Sequence, residues 1–357
     1  MRHLTITVII LLHLGLFLHT GHAADSVLAR KVNGEVSYRT PPQSKYSALV
    51  TGSTLQEGDS VRTGKNGWAE LLLSDGSTIT LANNSELKLT LLKMGNEKRE
   101  GLFNFTQGKV RASVVKLAGK QADFKIKSGT AVAGVKGTEF LMMSAGQANV
   151  FFGNEGSVAV SGTGKEQKQM NADTMTQTTR GYEPLDPVNV EPGSPLAEAR
   201  STFNTITGAT PPTEWMTGDA LPEIIGRWNI NYSHYLTDRG NYQDALRVLQ
   251  IAVDLAQSAE IRAVALLERG TILGRFLNKP EAALSEFLQV LNEYSRLPQG
   301  EIALFNSGHT LYELKRYDQA AERLRQYLAT YPSGRYRNTV EVLLKSISGQ
   351  PETKDDK

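Results

Sequence analysis

The spacing of apolar positions changes once along the chain. In the first half it has period two. Thr78-Ile79-Thr80-Leu81 and Glu86-Leu87-Lys88-Leu89 alternate, as do Phe103 and Phe105, then Val110, Ala112 and Val114, and Phe124-Lys125-Ile126-Lys127. Alternation places apolar side chains on one face of a strand. Asp75-Gly76 between two such runs predicts a hairpin with a primed turn, glycine supplying the positive φ. Gln107-Gly108 and Asn154-Glu155-Gly156 predict two further strand–turn–strand units. Many short strands at regular spacing predict an all-β half over residues 24–186, a twisted roll, sandwich or short solenoid.

After Pro222 the period becomes about 3.6, and three stretches share one pattern. The first holds Gly240, Tyr242 and Ala245. The second holds Gly270, Ala283, Phe287 and Val290, with Pro280 opening its second helix. The third holds Gly308, Tyr317, Ala320 and Pro332. The alanines at 245, 283 and 320 are 38 and 37 residues apart. Small residues let helices approach, and Leu, Tyr and Phe fill the space to the next pair. Tyr336, Val340, Leu344 and Ile347 share one helical face and predict a closing helix. The reading for residues 223–348 is therefore a helical repeat with a cap, followed by a charged, disordered tail over 349–357.

Between the halves, seven of the 13 prolines fall within residues 184–222, so 187–222 reads as a Pro/Thr-rich linker. Ser194 followed by Pro195 predicts one short helix inside it, with Ser194 as N-cap. Glycine usage follows the same division, with 18 glycines over residues 24–164 and 7 over residues 226–348.

Composition narrows the chemistry. The net charge is +2, which disfavours a globally basic nucleic-acid binder. It divides into +6 over residues 24–180 and −5 over residues 181–357. Two ordinary soluble surfaces account for that asymmetry; the sharper readings are that the halves dock, or that the first meets an anionic envelope polymer. The N-terminus has a basic start, an apolar run from Leu4 to Leu18, and small residues Gly21 and Ala23. That is the pattern of a secretory signal peptide over 1–23, cleaved between Ala23 and Ala24, and it predicts a periplasmic or otherwise exported protein with no later membrane span. No cysteine is present, which excludes disulfides, thiolate metal sites and a cysteine nucleophile. Four of the six histidines lie in the leader, leaving His234 and His309. No metal or other cofactor is expected.

Two resemblances then stand on quoted residues. Val32-Asn33-Gly34-Glu35-Val36, Gly58-Asp59-Ser60-Val61-Arg62-Thr63-Gly64, Gly67-Trp68-Ala69-Glu70-Leu71, Asp75-Gly76-Ser77, Gln107-Gly108-Lys109-Val110, Gly134-Val135-Lys136-Gly137-Thr138-Glu139-Phe140 and Glu155-Gly156-Ser157-Val158 occur in that order. The series resembles the FecR domain, named for a regulator of iron-citrate uptake, over roughly residues 27–185. It implies an all-β periplasmic fold. The namesake regulators carry a cytoplasmic anti-sigma region and a membrane helix ahead of this domain. Here only the leader is read there, so the resemblance carries over fold and compartment rather than anti-sigma activity. The helical half resembles the tetratricopeptide (TPR) repeat over about residues 223–333, which implies a surface for a protein or peptide. Tyr232, Tyr235, Asn306 and His309 are candidates for that groove.

Catalytic signals are poor. Gly129 to Thr138 imitates a phosphate-binding loop, but Val135 and Gly137 stand where the motif needs Lys and Ser/Thr adjacent to glycine. Asp59, Asp75, Glu139 and Glu155 each sit in a turn or strand-edge motif where a structural role suffices. The expectation is a non-catalytic interaction or scaffold protein. The alternatives are a binder of peptidoglycan or another glycan, and a sensory component lacking its own anti-sigma region.

Overall fold

The computed structural model describes residues 25–95, 98–116, 121–135, 137–164, 166–208 and 220–349. The leader with the expected cleavage point at Ala23 and Ala24, part of the expected linker, and the tail beyond Gly349 lie outside the described residues.

The β half contains β1 Ser26–Asn33, β2 Val36–Arg39, β3 Ser47–Ala48, β4 Thr54–Gln56, β5 Ser60–Thr63, β6 Trp68–Leu73, β7 Thr78–Leu81, β8 Glu86–Met94 and β9 Lys98–Ser113. It continues with β10 Gln121–Lys127, β11 Val132–Val135, β12 Glu139–Ala145, β13 Ala148–Glu155, β14 Ser157–Ser161, β15 Gln167–Asn171, β16 Thr174–Thr179 and β17 Val188–Asn189. Helices follow: α1 Pro195–Ile206, α2 Leu221–Asp238, α3 Tyr242–Leu255, α4 Ala259–Thr271, α5 Pro280–Tyr294, α6 Gln299–Glu313, α7 Tyr317–Thr330 and α8 Arg337–Ser348.

Two sheets form the β half. The first runs β4-β1-β6-β7-β9-β12-β13-β16-β17. The second runs β3-β2-β5-β8-β9-β10-β11-β14-β15. β9 belongs to both: its N-terminal part pairs with β8 and β10, its C-terminal part with β7 and β12. The β9–β10 pair is parallel. The chain makes a hairpin in one sheet, then crosses to the other. Most crossings are marked by positive φ, at Gly34, Gly52, Gly58, Asn84, Gly108, Gly137, Gly156 and Asp173.

This pattern corrects three local expectations. The Asp75-Gly76 hairpin closes over three residues, because Leu72 pairs with Thr78 and Gly76 N–H donates back to Leu73 O at 3.0 Å. Gly76 alone has positive φ there, so the turn is not of the primed two-residue type. Gln107-Gly108 does not reverse the chain: β9 passes straight through and bends from sheet to sheet. Asn154-Glu155-Gly156 is likewise a corner between sheets, where a Cβ on Gly156 would lie 2.6 Å from Thr138 Cγ2 and where φ is +70°.

The inner faces enclose Leu71, Leu81, Val110, Phe140, Met142 and Phe151 from one sheet against Leu87, Leu89, Phe103, Phe105, Phe124 and Val158 from the other. A second core lies outside the first sheet. Leu141, Met143, Val150, Phe152 and Met175 point away from the sandwich and pack with Leu196, Phe203, Leu221, Ile225, Val248 and Leu249 of the helices. Burial on both faces explains why β12 and β13 read as the continuous apolar runs Phe140-Leu-Met-Met and Val150-Phe-Phe instead of alternating.

Much of the segment expected as a linker is therefore built into the molecule. β17 pairs with β16, and α1 is capped by Ser194, whose side chain accepts from Ala197 N. Phe203 of α1 packs edge-on against Phe152, with ring centres 6.4 Å apart. Fully burying such a ring stabilises by about 1.5–3 kcal/mol.

α2/α3, α4/α5 and α6/α7 form three helix pairs, and α8 closes the array with Val340 buried beside Leu304, Leu324 and Tyr327. Ala245, Ala283 and Ala320 are each 0 % exposed, as close helix contact requires. Among the described residues, no helix is long and apolar enough to cross a membrane.

Candidate functional site

The three first helices of the pairs carry small residues at Ser233, Gly270 and Gly308, spaced 37 and 38 residues apart. A Cβ on Gly308 would approach Leu324 Cδ2 to 2.8 Å, and one on Gly270 would collide with the Phe287 ring. Gly240 does not belong to this set. It sits in the turn between α2 and α3 with φ +77° and open space around it. The equivalent of Gly270 is Ser233, 0 % exposed, whose hydroxyl satisfies itself on Ile230 O at 2.6 Å. Counting 12 to 13 residues back from each repeat alanine would have found it. Tyr242 and Tyr317 open α3 and α7, against Phe276 and Tyr312 at 5.1 and 5.6 Å between ring centres. Pro332 follows the end of α7.

Between α4 and α6 lies a cleft of about 360 Å³. Its floor is Phe287 of α5, and its walls include Arg275, Phe305, Asn306, His309 and Glu313. Its room comes from Gly270 and Gly274 and from a π-helical turn, Ile272–Phe276, that extends α4. There Leu277 N–H reaches back to Ile272 O at 3.1 Å, which widens the helix on the cleft side. Asn306 and His309 thus line the cleft as expected of groove residues. His309 lies 3.7 Å from Glu313, and His234, at the equivalent position two pairs earlier, lies 3.6 Å from Glu268. Tyr232 and Tyr235 are elsewhere. On another face of α2, Tyr232 stacks between Trp228 and Tyr235, and burial, with the nearby Tyr235, raises the Tyr232 pKa.

The β-half motif residues have structural work. Asp75 and Arg99 form an ion pair with side chains only 4 % and 3 % exposed. The Asp75 carboxylate also accepts from Ser77 N and Ser77 Oγ, each at 2.9 Å, and Ser77 Oγ in turn accepts from Val115 N at 3.1 Å. This network ties the Asp-Gly-Ser hairpin to β9 and the chain after it. Gly58 turns the corner before β5, and buried Asp59 accepts from Gln56 N at 2.9 Å. Gly64 lies against Glu35, where a Cβ would stand 2.5 Å from Oε2. Thr138 is buried at the Gly137 and Gly156 corners. Gly134 is not in a turn: it lies within β11, paired with Lys125 and Ala159, with nothing closer than 3.8 Å to a Cβ.

Glu139 and Glu155 are register partners on β12 and β13. Glu139 is taken up by Arg111 at 2.7 Å and Asn154 Nδ2 at 3.0 Å. Asp59 and Asp75 are held in their own turns. No group of His, Asp or Glu suited to a metal ion occurs among the described residues.

Comparison with known proteins follows the same division of the chain. Residues 59–161 match the FecR protein family. Residues 302–334 match the tetratricopeptide repeat family, within α6 and α7. The β half is thus FecR-like and the helical half TPR-like; such domains are typically non-catalytic, and the pairing points to an interaction or scaffold role. No curated protein sequence matches the chain. Among solved structures, a candidate anti-sigma factor from Parabacteroides distasonis is 13 % identical over 41 % of this chain, TM-score 0.34, and the chain spans 64 % of that structure's length. The second TPR domain of human RPAP3, in complex with an HSP70 peptide, is 14 % identical over 36 % of this chain and 99 % of its own, TM-score 0.31. Pseudomonas aeruginosa PilF is 17 % identical over 44 % of this chain and 75 % of its own, TM-score 0.28.

Proposed function

We propose that the protein is an exported, non-catalytic scaffold that binds a peptide or protein segment in the cleft between α4 and α6 and holds it in fixed orientation to the FecR-like sheets. The cleft carries this reading. It is open, it offers a guanidinium, an amide and an imidazole beside two aromatic rings, and the side chains of Asn306 and Arg275 form no hydrogen bond within the chain among the described residues. Polar groups of that kind pair with a peptide backbone and its side chains, while Phe287 and Phe305 give apolar contact. The leader pattern supports the compartment.

The test is photo-crosslinking in living cells from position 306, with position 289 on α5 as control. A discrete product from 306, lost when Arg275→Ala is added, is expected. Equal products from both positions would remove the cleft from consideration. Sequencing the N-terminus of the exported protein should give Ala24.

A second reading has one observation behind it. Lys88, Asn104 and Lys127 form a row across β8, β9 and β10 on the outer face of the second sheet, and both lysines are exposed. Such a row suits an anionic envelope polymer. Co-sedimentation with purified cell wall, lost in Lys88→Glu/Lys127→Glu, supports it; no sedimentation of the parent protein excludes it.

A further inference from the structure

One face of α2 carries Trp228, Tyr232, Tyr235 and Arg239, at i, i+4, i+7 and i+11. The three rings stack, with centres 4.6 and 5.8 Å apart, and the Arg239 guanidinium lies 4.5 Å from the Tyr235 ring centre. A shift of 37 residues, from Ser233 to Gly270, carries Trp228, Tyr235 and Arg239 onto Ala265, Ile272 and Phe276. A shift of 75, from Ser233 to Gly308, carries the first two onto Ala303 and Thr310. In α4 this face meets the helix before it: Phe276 stacks on Tyr242 of α3. Ala265 and Ile272 are 0 % and 3 % exposed, Ala303 and Thr310 0 % and 5 %. α6 also packs on the helix before it, α5. Tyr235, by contrast, is 48 % exposed. Although α1 packs on α2 as well, among the described residues no helix covers Tyr235 in the way that Ile272 and Thr310 are covered.

We propose that the C-terminal half of this α2 face docks an amphipathic helix of a partner protein, seated as α3 sits on α4, with a carboxylate facing Arg239. Continuity with the internal contacts sets the shape of the occupant. Charge sets its polarity: Arg239 bonds no carboxylate among the described residues, whereas the neighbouring Asp244 and Asp186 are already paired with Arg247 at 3.3 Å and Lys168 at 2.8 Å. Exposed Tyr and Arg side by side are the residue types that carry binding energy at interfaces. The surface is distinct from the cleft, whose walls are α4, α5 and α6, so the two can fail separately.

The probe is a lactam-bridged peptide with the sequence of residues 241–256, the helix that the equivalent face of α4 accepts. It is titrated against the full mature protein by fluorescence anisotropy. Saturable binding is expected, weakened at least about tenfold by Tyr235→Glu, retained by Tyr235→Phe and unchanged by Asn306→Ala. Tyr235 is exposed, so circular dichroism of Tyr235→Glu should match the parent. Absence of saturable binding, or equal binding by Tyr235→Glu, overturns the proposal. A concentration-dependent dimer dissolved by Tyr235→Glu also overturns it, since the face then belongs to a second copy.

Discussion

Gln177 of β16 and Asn229 of α2 exchange their side-chain amides: Gln177 Nε2 donates to Asn229 Oδ1 at 2.6 Å, and Asn229 Nδ2 donates to Gln177 Oε1 at 3.1 Å. Both residues are buried, 2 % and 0 % exposed. A reciprocal amide pair satisfies itself only in one register, so it fixes the helical array on the first sheet. Thr179 and Arg180 reinforce the junction on Asp254 of α3, at 2.8 and 3.1 Å. Asn229→Leu strands the Gln177 amide in the shared core, at a cost of about 1–3 kcal/mol. Urea unfolding should show that loss, and Gln177→Leu/Asn229→Leu should recover part of it.

Because one apolar cluster includes both Phe152 and Val248, the two halves should unfold together. Calorimetry of the whole protein is expected to give a single transition with equal calorimetric and van't Hoff enthalpies. Two separated transitions, each assignable to strand or helix by circular dichroism, would show that the junction adds little.

Asp75→Ala leaves Arg99 without its counter-charge at 3 % side-chain exposure. Removing one partner of a buried pair costs about 3–5 kcal/mol, whereas replacing both by apolar residues is often far milder. Asp75→Ala should therefore destabilise the protein more than Asp75→Leu/Arg99→Met does. The reverse order in denaturant midpoints would mean that Arg99 finds water when Asp75 is lost.

Much of this was legible from the chain. Period two and period 3.6 separate the strands from the helices, and Ser194-Pro195 marks the start of α1. What the local pattern hides is which sheet a strand joins. Gly108 and Gly156 have the composition of hairpin turns, but they turn corners, because the partner of each following strand lies far away in sequence. The runs Leu141-Met142-Met143 and Val150-Phe151-Phe152 are apolar on both faces of their strands, which a search for period two passes over. The covering helices come from beyond Pro192, so the proline cluster concealed the contact. In the helical half the glycine in the α2–α3 turn masked Ser233, because serine and glycine meet the same demand for small size at a helix contact.

Gly137 and Gly134 lie three residues apart and should respond oppositely to substitution. At Gly137 φ is +66° and a Cβ would lie 2.7 Å from Lys116 Cβ, so Gly137→Val should cost about 1–3 kcal/mol. At Gly134 the strand is extended and a Cβ would meet only Ala159 O, at an ordinary 3.8 Å, so Gly134→Ala should change stability by less than about 1 kcal/mol. Thermal melts of the two variants decide this. An unaffected Gly137→Val would show that the corner tolerates a side chain and leave the glycine open to another role.

The last expectation concerns alkaline pH. Tyr327 is 0 % exposed at the α6–α7–α8 junction, donates to Glu301 Oε1 at 2.6 Å and accepts from Tyr336 N at 2.9 Å. Burial first, and then the bonded Glu301 carboxylate, push its pKa up to about 12. In the unfolded chain a tyrosine titrates near about 10. The folded state therefore holds the proton more tightly, and the stabilisation is complete below about pH 10 and lost as the pH rises toward 12. Tyr327→Phe keeps the ring among Phe305, Tyr331 and Tyr336 but removes the titrating hydroxyl. The parent should melt above Tyr327→Phe at pH 8, and the gap should close across the alkaline range. Other tyrosines ionise in both proteins and largely cancel in the difference. A gap that stays constant through pH 12 would mean that the hydroxyl contributes no proton-linked stability.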